Sequence, residues 1–564
     1  MLLSNKVAVR DLVEICSIKG IKHVVIAPGS RNAPLTISFN RHPDFTCHSI
    51  VDERCAAFFA MGLAQQLNEP VAICCTSGTA SLNFASAIAE AFYQKVPMLI
   101  LTADRPPEWV DQMDGQTIRQ SGIFKNYIKK SFDIPVDTDH SDDRWFTQRI
   151  VSEAIESTLY PEAGPVHINI PFREPLYDVH DYANEPLPKV FETTKTLLEL
   201  PQSEISKLQH SWNQYSKILI VTGLLQPNKA LNEALNLLGE QSNVAILTET
   251  TSNVFGENFN RSIDRIIVAI EDEGTSEYTP ELLITLGGPV VSKKVKAFLR
   301  KNKPQEHWHI NTSNDYVDTF QGLTKIIPLS PEKILPHFIT EHKDSTYRAN
   351  WLEKDIKLQS VFNNFLNEIE FCDLKAFELI LDSIPNNSSV QLANSTAVRY
   401  SNLFDQPAQK ELTCYSNRGT SGIDGTISTA VGAAQAKGEL TTVISGDLSF
   451  FYDSNALWIS PFPQNLKIIV INNKGGSIFR IIDGPSKLEE LEPFFEVKHN
   501  LNAEYIAKTF GIDYYFCNEE TKLKEHLNSV YNDNINRASL LEISTDNELN
   551  PEILKRYFKH LKQN

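Results

Sequence analysis

Short apolar, β-branched runs that end in small or polar residues recur along this chain, separated by stretches with helical spacing. That rhythm points to parallel sheets covered by helices, because a parallel connection needs a crossover of roughly a dozen residues and a helix is the compact way to supply it. The first series is VVIAPGS at 24–30, VAICCTSG at 71–78, PMLILTADRP at 97–106 and VHINIP at 166–171. Helical patterns begin near Asp52, reach about Tyr93, and run from about Asp143 to Leu159. A second series follows in ILIVTG at 218–223, NVAILTET at 243–250, RIIVAI at 265–270, LLITLGG at 282–288 and HWHINT at 307–312. After a polar helical span around 346–383, a third comprises SVQLANS at 389–395, TTVISGD at 441–447, LKIIVINN at 466–473 and LLEIST at 540–545. The expectation is an α/β fold of three consecutive domains with parallel sheets, bounded at 1–185, 200–345 and 365–564. The opening MLLSNKVAVRDLVEICSIKG reads as an amphipathic helix closed by Gly20, and the Pro-containing stretch 175–201 as a linker.

Composition narrows the function classes. No apolar run approaches the roughly 18 residues needed to span a bilayer, and the N-terminus lacks a basic leader with a long apolar core, so no membrane insertion and a cytoplasmic location are expected. With 53 basic against 70 acidic residues the net charge is −17, which opposes nucleic-acid binding; an anionic substrate must meet a local basic pocket. The eight cysteines show no C-x-x-C spacing and read as buried thiols.

The chemistry-bearing pattern lies in the third series. Gly446-Asp447-Leu448 is followed, after 23 residues, by Asn472-Asn473 and then Lys474-Gly475-Gly476. Both pieces end a strand-like run, the edge at which open parallel sheets bind ligands. An Asp carboxylate, an Asn amide oxygen and a loop carbonyl suit a hard divalent cation that completes its shell with phosphate oxygens. Glycines 446, 475 and 476 are expected to let backbone approach the ligand. Either piece alone is ordinary turn composition; the joint spacing carries the signal. In the first series Val51-Asp52-Glu53-Arg54 follows the strand-like run FTCHSIV and opens an apolar helix. There an acid pair also serves simply to complement a helix dipole.

G-D-x followed about two dozen residues later by N-N resembles the diphosphate-metal motif of thiamine diphosphate enzymes. APGSRNAP at 27–34, VDER at 51–54, TSGTA at 76–80, TADRPPE at 102–108, GQTIRQ at 115–120, NSTAVR at 394–399 and SNRGTSGIDG at 416–425 resemble one branch of them, the menaquinone-pathway (MenD) family. The resemblance runs through both terminal regions and is weak in the middle, resting there on Val291-Ser292-Lys293-Lys294.

The resemblance implies a thiamine diphosphate-binding fold with a pyrimidine-binding first domain, a central domain and a diphosphate-binding third domain. The cofactors implied are thiamine diphosphate and Mg2+ or Mn2+, with Asp447, Asn473 and the carbonyl of Gly475 as metal ligands and Gly446 beside the diphosphate. Glu53 would be the catalytic carboxyl, hydrogen-bonded to the aminopyrimidine ring. The substrates implied are 2-oxoglutarate, which loses carbon dioxide, and isochorismate, which accepts the remaining four-carbon unit. Ser395, Arg399 and Arg418 would hold the oxoglutarate side; Ser30, Arg31, Arg105, Gln116 and Lys293 would hold isochorismate, with Lys294 the alternative to Lys293. Ile423 would support the cofactor between its rings, and Ile478 and Phe479 would line the pocket, core packing being the plainer use of all three. The family also implies a homo-oligomer, dimer or tetramer, with active sites shared between two chains. Competing readings are an acetolactate-synthase-like or flavin-bearing pyruvate-oxidase-like enzyme, and a non-catalytic ligand-binding relative. No His-His pair occurs among the 14 histidines, which weighs against a simple decarboxylase.

Overall fold

The computed structural model describes residues 1–136, 138, 140–196, 198–270, 275–339, 344–482, 484–533 and 535–563. The chain divides into two compact units, the first made of Met1–Thr196, Asn417–Glu439 and Tyr452–Leu466, the second of Leu197–Ser416, Leu440–Phe451 and Lys467–Asn564.

Three six-stranded sheets carry the chain. The first has the order Thr46–Ser49, His23–Ile26, Val71–Cys75, Met98–Asp104, Val166–Pro171, Ser131–Asp133. Its central strand Met98–Asp104 is buried along its whole length, as a parallel strand covered on both faces must be. The third repeats that topology as Thr413–Tyr415, Ser389–Leu392, Thr441–Gly446, Leu466–Asn472, Ser539–Ser544, Asp513–Cys517. The middle sheet differs, running Phe259–Asn260, Val244–Leu247, Ile218–Thr222, Leu282–Leu286, Glu306–Ile310, Lys325–Ile327. All the strand-like runs are strands except one.

That exception is RIIVAI at 265–270, which lies in the helix Ile263–Ile270. A short unbroken apolar run has no periodicity to separate strand from helix when every face is buried. Here every residue from Arg265 to Ile270 is buried, and Arg265 is paired with Asp355 (2.6 Å) and Asp405 (3.4 Å). Two further expectations need correction. Leu2–Ser4 is a strand, with the helix starting only at Val7, and it pairs antiparallel with Val179–Asp181 inside the stretch read as a linker. Three-residue strands leave no period to detect. All eight cysteines are free, seven of them buried and Cys47 half-buried.

In the first unit the helix Glu53–Leu67 starts where Asp52 accepts the Cys55 N–H (3.2 Å) and stops at left-handed Asn68. It crosses the helix Thr426–Lys437 at contact distance. A Cβ on Gly62 would stand 2.1 Å from the Thr429 carbonyl oxygen, and one on Gly432 would stand 2.1 Å from that of Phe59. Reciprocal glycines thus bring two backbones together.

Candidate active site

In the third sheet the strand order places a crevice where neighbouring connections leave in opposite directions, between Ser389–Leu392 and Thr441–Gly446. Gly446 closes the second of these strands, and a Cβ there would meet nothing within 4 Å. Asp447, 2% exposed, begins the following helix. Its Oδ2 accepts the Gly475 N–H at 2.9 Å and lies 3.4 Å from His499 Nε2. The two motif halves, 28 positions apart, therefore meet.

The neighbouring asparagines divide the labour. Asn472 Nδ2 donates to Glu542 (2.5 Å) and to the Leu501 carbonyl (2.9 Å), and its oxygen accepts the Lys474 N–H, so it holds loops. Asn473 Nδ2 donates to Asp373 Oδ2 and to Ser477 Oγ, both at 3.0 Å, which turns its Oδ1 away from them. Burial pushes the Asp373 carboxyl up to about 6 against the pull of its bonds from Thr545 and Asn473. Glycines 475 and 476 are also required by packing within the protein. Their Cβ positions are taken by protein, with Glu496 O 2.8 Å from the first and Phe479 and Phe495 near the second.

These groups fit a hard cation bound with phosphate. Donors of Asp447, Asn473 and the Gly475 carbonyl are all oxygen, and among the described residues no cluster of three His, Cys, Asp or Glu is placed to hold a metal. A cation here would need anionic oxygen from a ligand, as magnesium bound with a diphosphate has.

Beside it, a cavity of about 350 Å³ gathers Lys293, Lys294, Arg399 and Ile478 with Asp264 and Phe558. Lys293 opens a helix whose N-cap is Ser292 (Val295 N–H to Oγ, 3.1 Å). Lys294 lays its ammonium 4.4 Å over the Phe558 ring. Ser395, at φ 74°, precedes the helix Thr396–Ser401 that carries Arg399, and the Arg399 Nε is buried with no hydrogen-bond partner among the described residues. Ile478 and Phe479 share the helix Ile478–Ile481 and are half-buried, Phe479 packing on Phe495.

The first unit gathers the other candidates. Ser30 and Arg31 follow the strand His23–Ile26, and Arg105 follows Met98–Asp104. Arg31 is buried, donating to the Phe172 carbonyl (3.0 Å) and pairing with Glu174 (3.2 Å). Burial and the neighbouring Arg105 pull its guanidinium below the ordinary value. Arg105 reaches the Gly115 carbonyl (3.1 Å) and Asp114 (3.5 Å) on the loop holding Gln116, itself at φ 56°. Glu53 sits in the first turn of its helix and accepts from Asn83 Nδ2 at 3.3 Å. Arg418 and Ile423 lie in the loop before Thr426–Lys437; Ile423, 42% exposed, is no core residue.

Reading the sequence missed the residues that hold these loops. Buried Glu249 accepts the Val291 and Ser292 N–H groups at 2.7 Å each, directly before Lys293. Buried Glu90 accepts the Gly419 and Thr420 N–H groups at 2.7 Å, directly after Arg418. Gln120 Oε1 accepts the Gly78 N–H (2.8 Å).

Residues 7–127 match the N-terminal TPP-binding domain of thiamine pyrophosphate enzymes, 182–390 their middle domain and 397–543 their C-terminal TPP-binding domain. The 2-succinyl-5-enolpyruvyl-6-hydroxy-3-cyclohexene-1-carboxylate synthases of Flavobacterium psychrophilum and Flavobacterium johnsoniae are each 43% identical, over 98% of this chain and 98% of their own. That of Porphyromonas gingivalis is 38% identical over 99% and 98%. This chain belongs to that synthase family, within the thiamine pyrophosphate enzymes. As a member of that family it brings thiamine diphosphate to a fold whose first and third sheets share one strand order.

Proposed function

We propose that this synthase decarboxylates 2-oxoglutarate and adds the resulting four-carbon unit to isochorismate, giving 2-succinyl-5-enolpyruvyl-6-hydroxy-3-cyclohexene-1-carboxylate and carbon dioxide in menaquinone biosynthesis. The observation that carries this reading beyond the family match is the cavity that gathers Lys293, Lys294 and Arg399 in a chain of net charge −17. Three cations converging there suit carboxylate-bearing substrates.

When bound, thiamine diphosphate supplies a nucleophilic carbon and an electron sink for loss of carbon dioxide. Asp447, Asn473 and the Gly475 carbonyl would hold Mg2+ or Mn2+ that binds the diphosphate, with Gly446 nearby. Glu53 would hydrogen-bond the aminopyrimidine ring through its carboxyl group. Ile423 supports the space between the rings. Arg399, Arg418 and Ser395 bind 2-oxoglutarate, Arg399 from the lining of that cavity. Ser30, Arg31, Arg105, Gln116 and Lys293 bind isochorismate, with Ile478 and Phe479 as apolar walls. Lys293 is preferred to Lys294 because the latter is engaged by Phe558.

A flavin-bearing oxidase is disfavoured by the sequence at the middle sheet, where VTGLLQPN at 221–228 carries no glycine-rich dinucleotide fingerprint.

The reading extends to the partition 1–185, 200–345 and 365–564, a cytoplasmic location, and a dimer or tetramer with active sites shared between chains. No described helix is long and apolar enough to cross a membrane. Within one chain the Glu53 helix packs on the helix after Ile423. Mixing Glu53→Gln with Asp447→Ala protein tests the shared-site arrangement, since exchanged subunits regain one intact site in about half the dimers. Failure to recover activity after proven exchange places each site in one chain. Carbon dioxide release from 2-oxoglutarate and not from pyruvate tests the donor; equal release from both overturns the assignment.

A further inference from the structure

Asn473 offers a metal its amide oxygen only if the amide plane faces one way, and rotation by half a turn would present an NH2 group instead. An isolated asparagine has little to choose between the two orientations. Here the surroundings choose. Both amide hydrogens are taken, one by Asp373 Oδ2 and one by Ser477 Oγ, each at 3.0 Å. Asp373 is 1% exposed and comes from 100 positions upstream, at the start of the helix Asp373–Ser383. Its other oxygen accepts Thr545 Oγ1 at 2.6 Å, and its own N–H donates to Asn550 Oδ1 at 2.8 Å, so the carboxylate is itself held in place. An ionised carboxylate has no hydrogen to give, so it rejects the flipped amide, whose oxygen would then face it. Ser477 cannot do this, because a hydroxyl donates as readily as it accepts.

We propose that Asp373 is the positioning residue of the metal site: it locks the Asn473 amide with Oδ1 toward the cation, and so sets the affinity for the divalent metal that carries thiamine diphosphate. The proposal rests on Asn473 and Asp447 being metal ligands. Asp373 touches neither metal nor substrate, and its influence passes through one amide.

The test is calorimetric titration of the full-length protein with Mg2+ at saturating thiamine diphosphate. Asp373→Asn, which can donate to Asn473 Oδ1 and turn it inward, is expected to weaken Mg2+ about 10- to 100-fold, the usual effect of losing such a partner. Thr545→Val, which removes the other bond to Asp373, is expected to weaken it less than about threefold, since the asparagine still faces a carboxylate. The decisive variant is the exchange Asp373→Asn with Asn473→Asp. It restores a donor facing a carboxylate, with the ligand oxygen now at 473, and should bind Mg2+ at least tenfold more tightly than Asp373→Asn alone, or bind it within about tenfold of wild type if the single variant does not fold. A folded exchange variant that does not bind Mg2+ would overturn the proposal. So would an Asp373→Asn protein that binds like wild type while Asn473→Ala does not. If Asn473→Ala and Asp447→Ala both bind Mg2+ normally, the metal-site reading fails first, and the positioning role with it.

Discussion

Glu249 supplies a test in which stability and function move in opposite directions. Its buried carboxyl accepts two N–H groups, from Val291 and Ser292, yet burial still pushes it from an ordinary 4.5 up to about 7. The folded chain therefore keeps this proton to higher pH than the unfolded chain. With the folded value raised, stability from this group is full below about 4.5 and is lost as pH rises toward 7, about 3 kcal/mol in all. Glutamine has no proton to lose and stays neutral at every pH. Glu249→Gln should therefore gain on the wild type as pH rises. Between pH 6 and pH 8, both above the isoelectric point of about 5.4, the gain should be about 1 kcal/mol in urea-unfolding free energy. Function should move the other way. The carboxamide has one acceptor for two N–H groups, so the turn before Lys293 is released; losing one charge-assisted bond worth about 1.5–3 kcal/mol should raise the isochorismate KM about tenfold or more. A stability difference that is flat from pH 6 to pH 8, or one that grows in favour of the wild type, would refute the burial reasoning. An unchanged KM would refute the role of the turn.

Glu53→Gln should fold and bind thiamine diphosphate but lose most turnover; activity near wild type removes Glu53 from the chemistry. Arg418→Ala should chiefly raise the 2-oxoglutarate KM and Arg105→Ala the isochorismate KM, each by a contact of about 1.5–3 kcal/mol; steady-state kinetics showing equal effects on both substrates breaks that partition. Gly62→Ala drives a methyl to 2.1 Å from the Thr429 carbonyl oxygen and should cost about 1–3 kcal/mol, read as an earlier thermal unfolding of the first unit. An unchanged midpoint means the two helices separate freely.

Much of the fold was legible because strand-length apolar runs ending in Gly, Asp, Asn or Thr are hard to mistake. The runs at 98–104, 441–446 and 466–472 are central buried strands ending at Asp104, Gly446 and Asn472. What escaped was short or ambiguous. Leu2–Ser4 and Lys325–Ile327 are too brief for a period, and 265–270 is apolar on every face because its helix is buried all round. The site split along another line. Residues proposed to face ligands stand in local motifs, such as Asp447 and Asn473. Residues that hold them, Glu249, Glu90 and Asp373, act across 42, 329 and 100 positions and sit in unremarkable local sequence. Only folding brings each to its loop.

The most direct measurement is accurate-mass detection of the product after incubating the purified protein with thiamine diphosphate, Mg2+, 2-oxoglutarate and isochorismate. The expected result is one new acid with the mass of isochorismate plus the four-carbon unit, appearing in step with carbon dioxide and absent when either substrate or the metal is omitted. Carbon dioxide release at the same rate without isochorismate, with no condensation product, would contradict the assignment and leave a decarboxylase in its place.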